Sequence, residues 1–238
     1  MTTHIDFGIM SVRRALTLGV RHFEHAYTLG VEVIWPSEGR AAWARMRQEL
    51  GADTPAGFYW GVLEQFNTLG PNDTGLLALI DDLARSGSTV TPTLHIFAQR
   101  VGFAPYTTKS LGTFDRSDAW TPTQRDRARR GYEILAGYVR RMHEAGVGLA
   151  VGTDWLDPGH AVLSELILLQ RAGIPMADVL CIATRGGARV MEREDDYGTI
   201  EPGRKAHVVI FDRNPLEDPE AVLAGKTVIK DGIVVPQR

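Results

Sequence analysis

The side chains in this 238-residue chain best suited to holding a metal or moving a proton are its seven histidines and a few of its 29 acidic residues. Three of these stand where chemistry is usually placed. His4 belongs to the opening segment, His25 closes a strand-like run over residues 20–25, and Asp154 follows a buried-looking run over residues 147–152. If those runs are parallel strands, all three side chains sit at C-terminal strand ends and converge on one mouth of the sheet. Two imidazoles and a carboxylate suit Zn²⁺ or a similar borderline divalent ion, and three such groups leave a coordination position open for a water. The other histidines are expected to play plainer parts. His22, beside Arg21, reads as structural or solvent-facing, His143 as a surface residue of a helix, and His207 as structural. His95 follows a strand end and can be read either way. Cys181, between Leu180 and Ile182, reads as a buried, inert thiol.

The elements that would hold these residues alternate. Residues 11–18 form a helix stopped by Gly19, and the run over 20–25 completes a strand-helix-strand opening. Residues 28–71 are irregular, with helical pieces inside a long excursion. A helix over 76–85, with Asp81 and Asp82 on its wetter side, leads into the β-rich Thr89-Val-Thr-Pro-Thr93. A second excursion covers 99–120, and a loop of that length is more often substrate-covering than idle. The clearest helix runs from Thr121 to Ala145, with Leu135, Val139 and Met142 on one face and Gly146 as its stop. The strand over 147–152 follows, then helices over 161–172, 176–184 and 186–191. After Tyr197 the text changes to strands over 206–211 and 227–235, with a short helical turn over 218–223 and a tight turn at Asp231-Gly232. These strands have no helices between them. They define a small β-layer, and we place the boundary near Glu194, giving units of residues 1–194 and 195–238.

The whole chain limits what this can be. With 44% hydrophobic residues there is material for a sizeable core, and the net charge of -3, without runs of one sign, argues against nucleic acid or a membrane surface as partner. No stretch approaches the roughly 18 apolar residues of a span, and the N-terminus does not read as a signal peptide. A small-molecule substrate and a cytoplasmic setting are the expectations, the latter because one cysteine cannot form an internal disulfide.

At this point the sequence resembles a known family, the amidohydrolase superfamily, and within it the branch of imidazolonepropionase-like and Xaa-Pro dipeptidase-like proteins. The likeness runs through Ala15-Leu-Thr-Leu-Gly-Val20, Phe23-Glu24-His25, Val90-Thr-Pro-Thr-Leu94, Ala145-Gly146-Val147, Val151-Gly-Thr-Asp154, Glu165-Leu166, Ala172-Gly-Ile-Pro175, Ala183-Thr184, Tyr197-Gly-Thr-Ile-Glu-Pro-Gly-Arg-Lys-Ala206 and Val228-Ile-Lys-Asp-Gly232. Each motif is modest alone, and their order and spacing carry the resemblance. It implies the second half of a (β/α)8 barrel, strands five to eight, followed by part of a composite β-sandwich. It makes His4 the strand-five metal ligand, His25 the strand-six ligand, and Asp154 the strand-eight aspartate that binds metal and shuttles a proton. His160 matches a position near the pocket rim and, with His95, is a candidate for substrate contact. Glu165 is either a rim residue or a helix-start carboxylate. The implied activity is hydrolysis of an amide, cyclic amide or dipeptide-like C–N bond by a metal-activated water, with zinc first and manganese or iron as alternatives.

Two departures stand beside this. The family's His-x-His pair on strand one and its bridging Lys or Glu on strand four have no counterpart here, and His207 stands where the family usually has Asp. The chain therefore resembles a piece beginning just ahead of strand five. It is expected to need a complementing chain, to self-associate through open strand edges, or to persist as an inactive metal-binding or interaction module.

Overall fold

A computed structural model describes residues 2–4, 10–34, 55–106, 120–155 and 158–236. Four strands, β1 (Thr2–His4), β2 (His22–Glu24), β3 (Thr89–Thr91) and β4 (Gly148–Leu149), pair in that order and all in parallel. The register sets Phe23 beside Val90 and Val90 beside Leu149, while His4 lies beside Glu24 and Glu24 beside Thr91. Because successive side chains of a strand point to opposite faces, the first row is apolar and buried and the second is polar. The polar row runs to the end of the sheet where the candidate ligands stand.

Local signals explain the helices between the strands. Ser11 caps Val12–Thr17 by accepting from the Arg14 N–H, and Asp73 caps Thr74–Arg85 by accepting from the Leu76 N–H. Helix Pro122–Glu144 opens with a capping box: the Thr121 hydroxyl accepts from the Gln124 N–H, and the Gln124 side chain accepts from the Thr121 N–H. Its face of Ala128, Leu135, Val139 and Met142 is buried. Helix Pro55–Leu69 packs against it so closely that a Cβ on Gly131 would lie 2.0 Å from the Leu63 carbonyl oxygen, so only glycine permits the contact. The Glu64 carboxylate also pairs with the Arg127 guanidinium across this seam.

The C-terminal strands β5 (Val208–Phe211), β6 (Lys226–Lys230) and β7 (Ile233–Val235) form a separate antiparallel sheet. The hairpin between the last two turns on Asp231 and Gly232, both at positive φ (50° and 78°), as a tight Asp-Gly turn requires.

Several expectations are corrected. Cys181 is exposed, not buried, because neighbours along a helix point about 100° apart and apolar flanks do not decide its side. The two helices expected over 176–191 run on through a π-turn at Ile182–Gly186. Residues 94–101 form a helix where none was expected before the excursion, and the parallel strands are shorter than the sequence indicated. Parts of both excursions, residues 35–54 and 107–119, lie outside the described residues. No described helix is long and apolar enough to cross a membrane.

Candidate active site at the strand ends

The site is built where adjacent strands leave the sheet. His25 follows β2 directly, Thr93 follows β3 by two residues, and Asp154 stands beyond β4; all three have left-handed backbone, with φ of 64°, 55° and 48°. Such conformations are uncommon outside glycine and cluster where surrounding structure over-determines them. For His25 that structure is visible. Its N–H donates to the Thr91 carbonyl at 2.9 Å, and its own carbonyl accepts from the Thr28 N–H at 3.1 Å and the Thr28 hydroxyl at 2.8 Å.

His4, His25 and Asp154 border one cavity of about 310 Å³, together with Tyr27, Phe58, Tyr59, Ile96 and Phe97. The His4 and His25 rings meet edge to face with centroids 4.8 Å apart. His4 and Asp154 are exposed and His25 is half-buried. Burial pushes the His25 imidazole below its ordinary range, the Asp154 carboxylate pulls it back up, and His4 pushes it down further. A depressed imidazole is neutral near pH 7 and can offer a lone pair.

The donor types match a borderline divalent ion, and the two rings are near enough to share one. The match is incomplete: among the described residues no three His, Cys, Asp or Glu side chains stand close enough together to hold a metal. His4 and His25 therefore fit as a pair, with Asp154 across the same cavity.

The remaining candidates stand apart. His95 is fully buried, with Nδ1 2.7 Å from the Ser164 hydroxyl and Nε2 2.6 Å from the Gln99 amide, and it is not among the cavity's lining residues. His160 is exposed on helix Pro158–Arg171, its ring 5.1 Å from that of Tyr106. Glu165 is neither a rim residue nor a helix-start carboxylate. It lies fully buried within helix Pro158–Arg171 and caps a different helix, accepting from the Leu94 N–H at 2.9 Å and the His95 N–H at 2.7 Å. Burial outweighs those two bonds and lifts its carboxyl to about 7.

Sequence reasoning missed the aromatic wall. Tyr27 meets Phe58 and Phe97 at ring separations of 5.9 and 5.3 Å, and Tyr59 meets Phe97 at 5.6 Å. The pair Phe58-Tyr59 was legible only as aromatic residues in an irregular stretch. Their place on the cavity depends on the Gly131 seam that docks their helix.

The family model for the amidohydrolase family matches residues 115–236, just over half the chain. A 5-methylthioadenosine/S-adenosylhomocysteine deaminase of Desulforudis audaxviator is 37% identical over 120 residues, covering 41% of this chain and 28% of that protein. An imidazolonepropionase of Brevibacillus brevis is 33% identical over 104 residues, covering 40% of this chain and 24% of that protein. The chain thus spans about a quarter of the length of these curated relatives. Among solved structures, a Xaa-Pro dipeptidase with bound methionine in the active site aligns over 95% of this chain and 57% of its own at 20% identity with a TM-score of 0.52, and a prolidase-like protein from Bifidobacterium longum aligns over 84% of this chain and 61% of its own at 21% identity with a TM-score of 0.51, in both cases a likeness of fold.

Proposed function

Because the chain belongs to the amidohydrolase family, we propose that its parallel sheet is strands five to eight of a (β/α)8 barrel, with residues 1–194 as barrel and 195–238 as a β-sandwich layer, and that the cavity at the strand ends hydrolyses a C–N bond of a small amide, cyclic amide or dipeptide-like molecule. The observation that carries this reading is the 4.8 Å pairing of His4 and His25 on a cavity that Asp154 shares.

In this reading His4 and His25 hold a divalent ion, zinc first with manganese or iron as alternatives, which when bound supplies Lewis acidity and an acidified water. Asp154 accepts the attacking water's proton and returns it to the leaving nitrogen. Tyr27, Phe58, Tyr59 and Phe97 pack against the apolar part of the substrate and exclude solvent. His160, exposed beside Tyr106, meets only an extended substrate, and His95, fully buried and off the cavity lining, does not make the substrate contact that the sequence suggested. Among the described residues β1 and β4 each pair with one strand only, so a complementing chain or a second copy would find an open edge there.

The absence of a three-residue ligand cluster among the described residues favours a second reading, a non-catalytic metal-binding or interaction module of the same family. A panel of N-acyl amino acids, X-Pro dipeptides and imidazolone-type rings, assayed with added zinc or manganese, separates the two. The hydrolase reading expects turnover on at least one member and a loss of roughly 10²–10⁴ in Asp154→Asn with an unchanged melting temperature. Unchanged turnover in that variant removes Asp154 from the mechanism, and a protein inert on the whole panel supports the module.

A further inference from the structure

We propose that Thr93 is a positioning residue that decides which ring nitrogen of His25 carries the proton, leaving Nε2 as the bare, lone-pair nitrogen. The Thr93 hydroxyl oxygen lies 2.7 Å from the Pro92 carbonyl oxygen and 3.0 Å from Nδ1 of His25. A 2.7 Å separation is the usual length of a hydroxyl-to-carbonyl hydrogen bond, and of these two oxygens only the hydroxyl has a proton to give. The single hydroxyl proton therefore lies on the Pro92 contact, and Thr93 turns a lone pair toward His25. Nδ1 must then be the donor. A neutral imidazole with Nδ1–H has its acceptor at Nε2.

The hydroxyl is not free to turn away. Thr93 is buried, in left-handed backbone with φ 55° and ψ 47°, and it makes no cap for the helix Leu94–Val101 that starts beside it. Glu165 does that from the far side of the fold, receiving the Leu94 and His95 N–H groups on its two oxygens. A buried carboxylate 70 residues away thus holds the turn that holds the hydroxyl that orients the ring. Metal-binding imidazoles are commonly oriented by such a partner on the second nitrogen, whose loss costs about 10–100-fold in metal affinity. The functional meaning of the proton placement rests on reading His25 as a ligand, but the placement itself does not.

The test is a long-range ¹H–¹⁵N spectrum of the full, metal-free chain in mildly alkaline buffer, for the unaltered protein, Thr93→Val and Thr93→Ser. The expected result is a His25 ring with Nδ1 protonated and Nε2 bare in the unaltered protein and in Thr93→Ser, and a gain of the Nε2–H form in Thr93→Val, which has the shape without the oxygen. An Nε2–H ring in the unaltered protein overturns the proposal, whether or not the variants fold. So does an unchanged ring in a folded Thr93→Val. Zinc titration of the same samples separates this from the hydrolase reading: an Nδ1–H ring in a protein that binds no zinc keeps the proton placement and removes the ligand role.

Discussion

The two sheets of this protein both carry large apolar side chains and leave them in opposite conditions. In the parallel sheet Phe23, Val90 and Leu149 are buried beneath helices, and its strand ends are held by cross-links from distant parts of the chain, Thr93 to His25 and Glu165 to the helix after Thr93. In the antiparallel layer Val209, Ile210, Ile233, Val234 and Val235 are exposed, and the polar link between its strands' flanks is a surface pair, His207 with Asp231 at 3.0 Å. At His25 and Thr93 in the first region, left-handed backbone is held in place by packing and by hydrogen bonds to distant residues. In the second, Asp231, the one non-glycine residue at positive φ among that layer's described residues, sits in a turn whose own geometry asks for it.

The largest effect that would break this contrast is on stability. Phe23→Ala removes a fully buried ring from the sheet's apolar row and is expected to cost about 3–5 kcal/mol in denaturant unfolding. A cost under about 1 kcal/mol would mean that the parallel sheet is no better packed than the layer.

A pH experiment comes next. Glu165 is raised from 4.5 to about 7 by burial, so the folded protein keeps a proton there that the unfolded chain has lost between those values. Its contribution is therefore full below about pH 4.5 and falls as pH rises to about 7, by about 3 kcal/mol at roughly 1.4 kcal/mol per unit. The stability of the unaltered protein relative to Glu165→Gln should decline across that window and level off above it. A difference that rises or stays flat would contradict the burial of this carboxylate.

The smallest effect belongs to the layer. Ile233, 73% exposed, changed to Thr should shift stability by no more than about 0.5 kcal/mol. A cost several times larger would show that this face is covered in the working protein, and the contrast would become one between a self-contained sheet and a shared one.

How much of this was legible in the sequence depended on how local the cause was. Helix Pro122–Glu144 carries its own capping box and its own apolar stripe, so its start and face could be read directly. The Asp231-Gly232 turn names itself. Helix Leu94–Val101 could not be read, because its cap is supplied by Glu165 from another helix and Thr93 offers none. Glu165 was misplaced for the same reason: the residue types suggested a helix start, and the helix it caps is not its own. The convergence of His4, His25 and Asp154 on one cavity was expected from the alternation of strands and helices. The aromatic wall was not, since Phe58 and Tyr59 reach the cavity through a close approach at Gly131 that no periodicity encodes.

The central claim, that His4 and His25 form one metal-binding pair on the cavity that Asp154 shares, is tested most directly by calorimetric titration of zinc into metal-free protein. The account predicts one ion per chain, with that binding lost in His4→Ala and in His25→Ala while both variants keep their melting temperatures without metal. Binding left intact in either variant, or no binding by the unaltered chain, would contradict it.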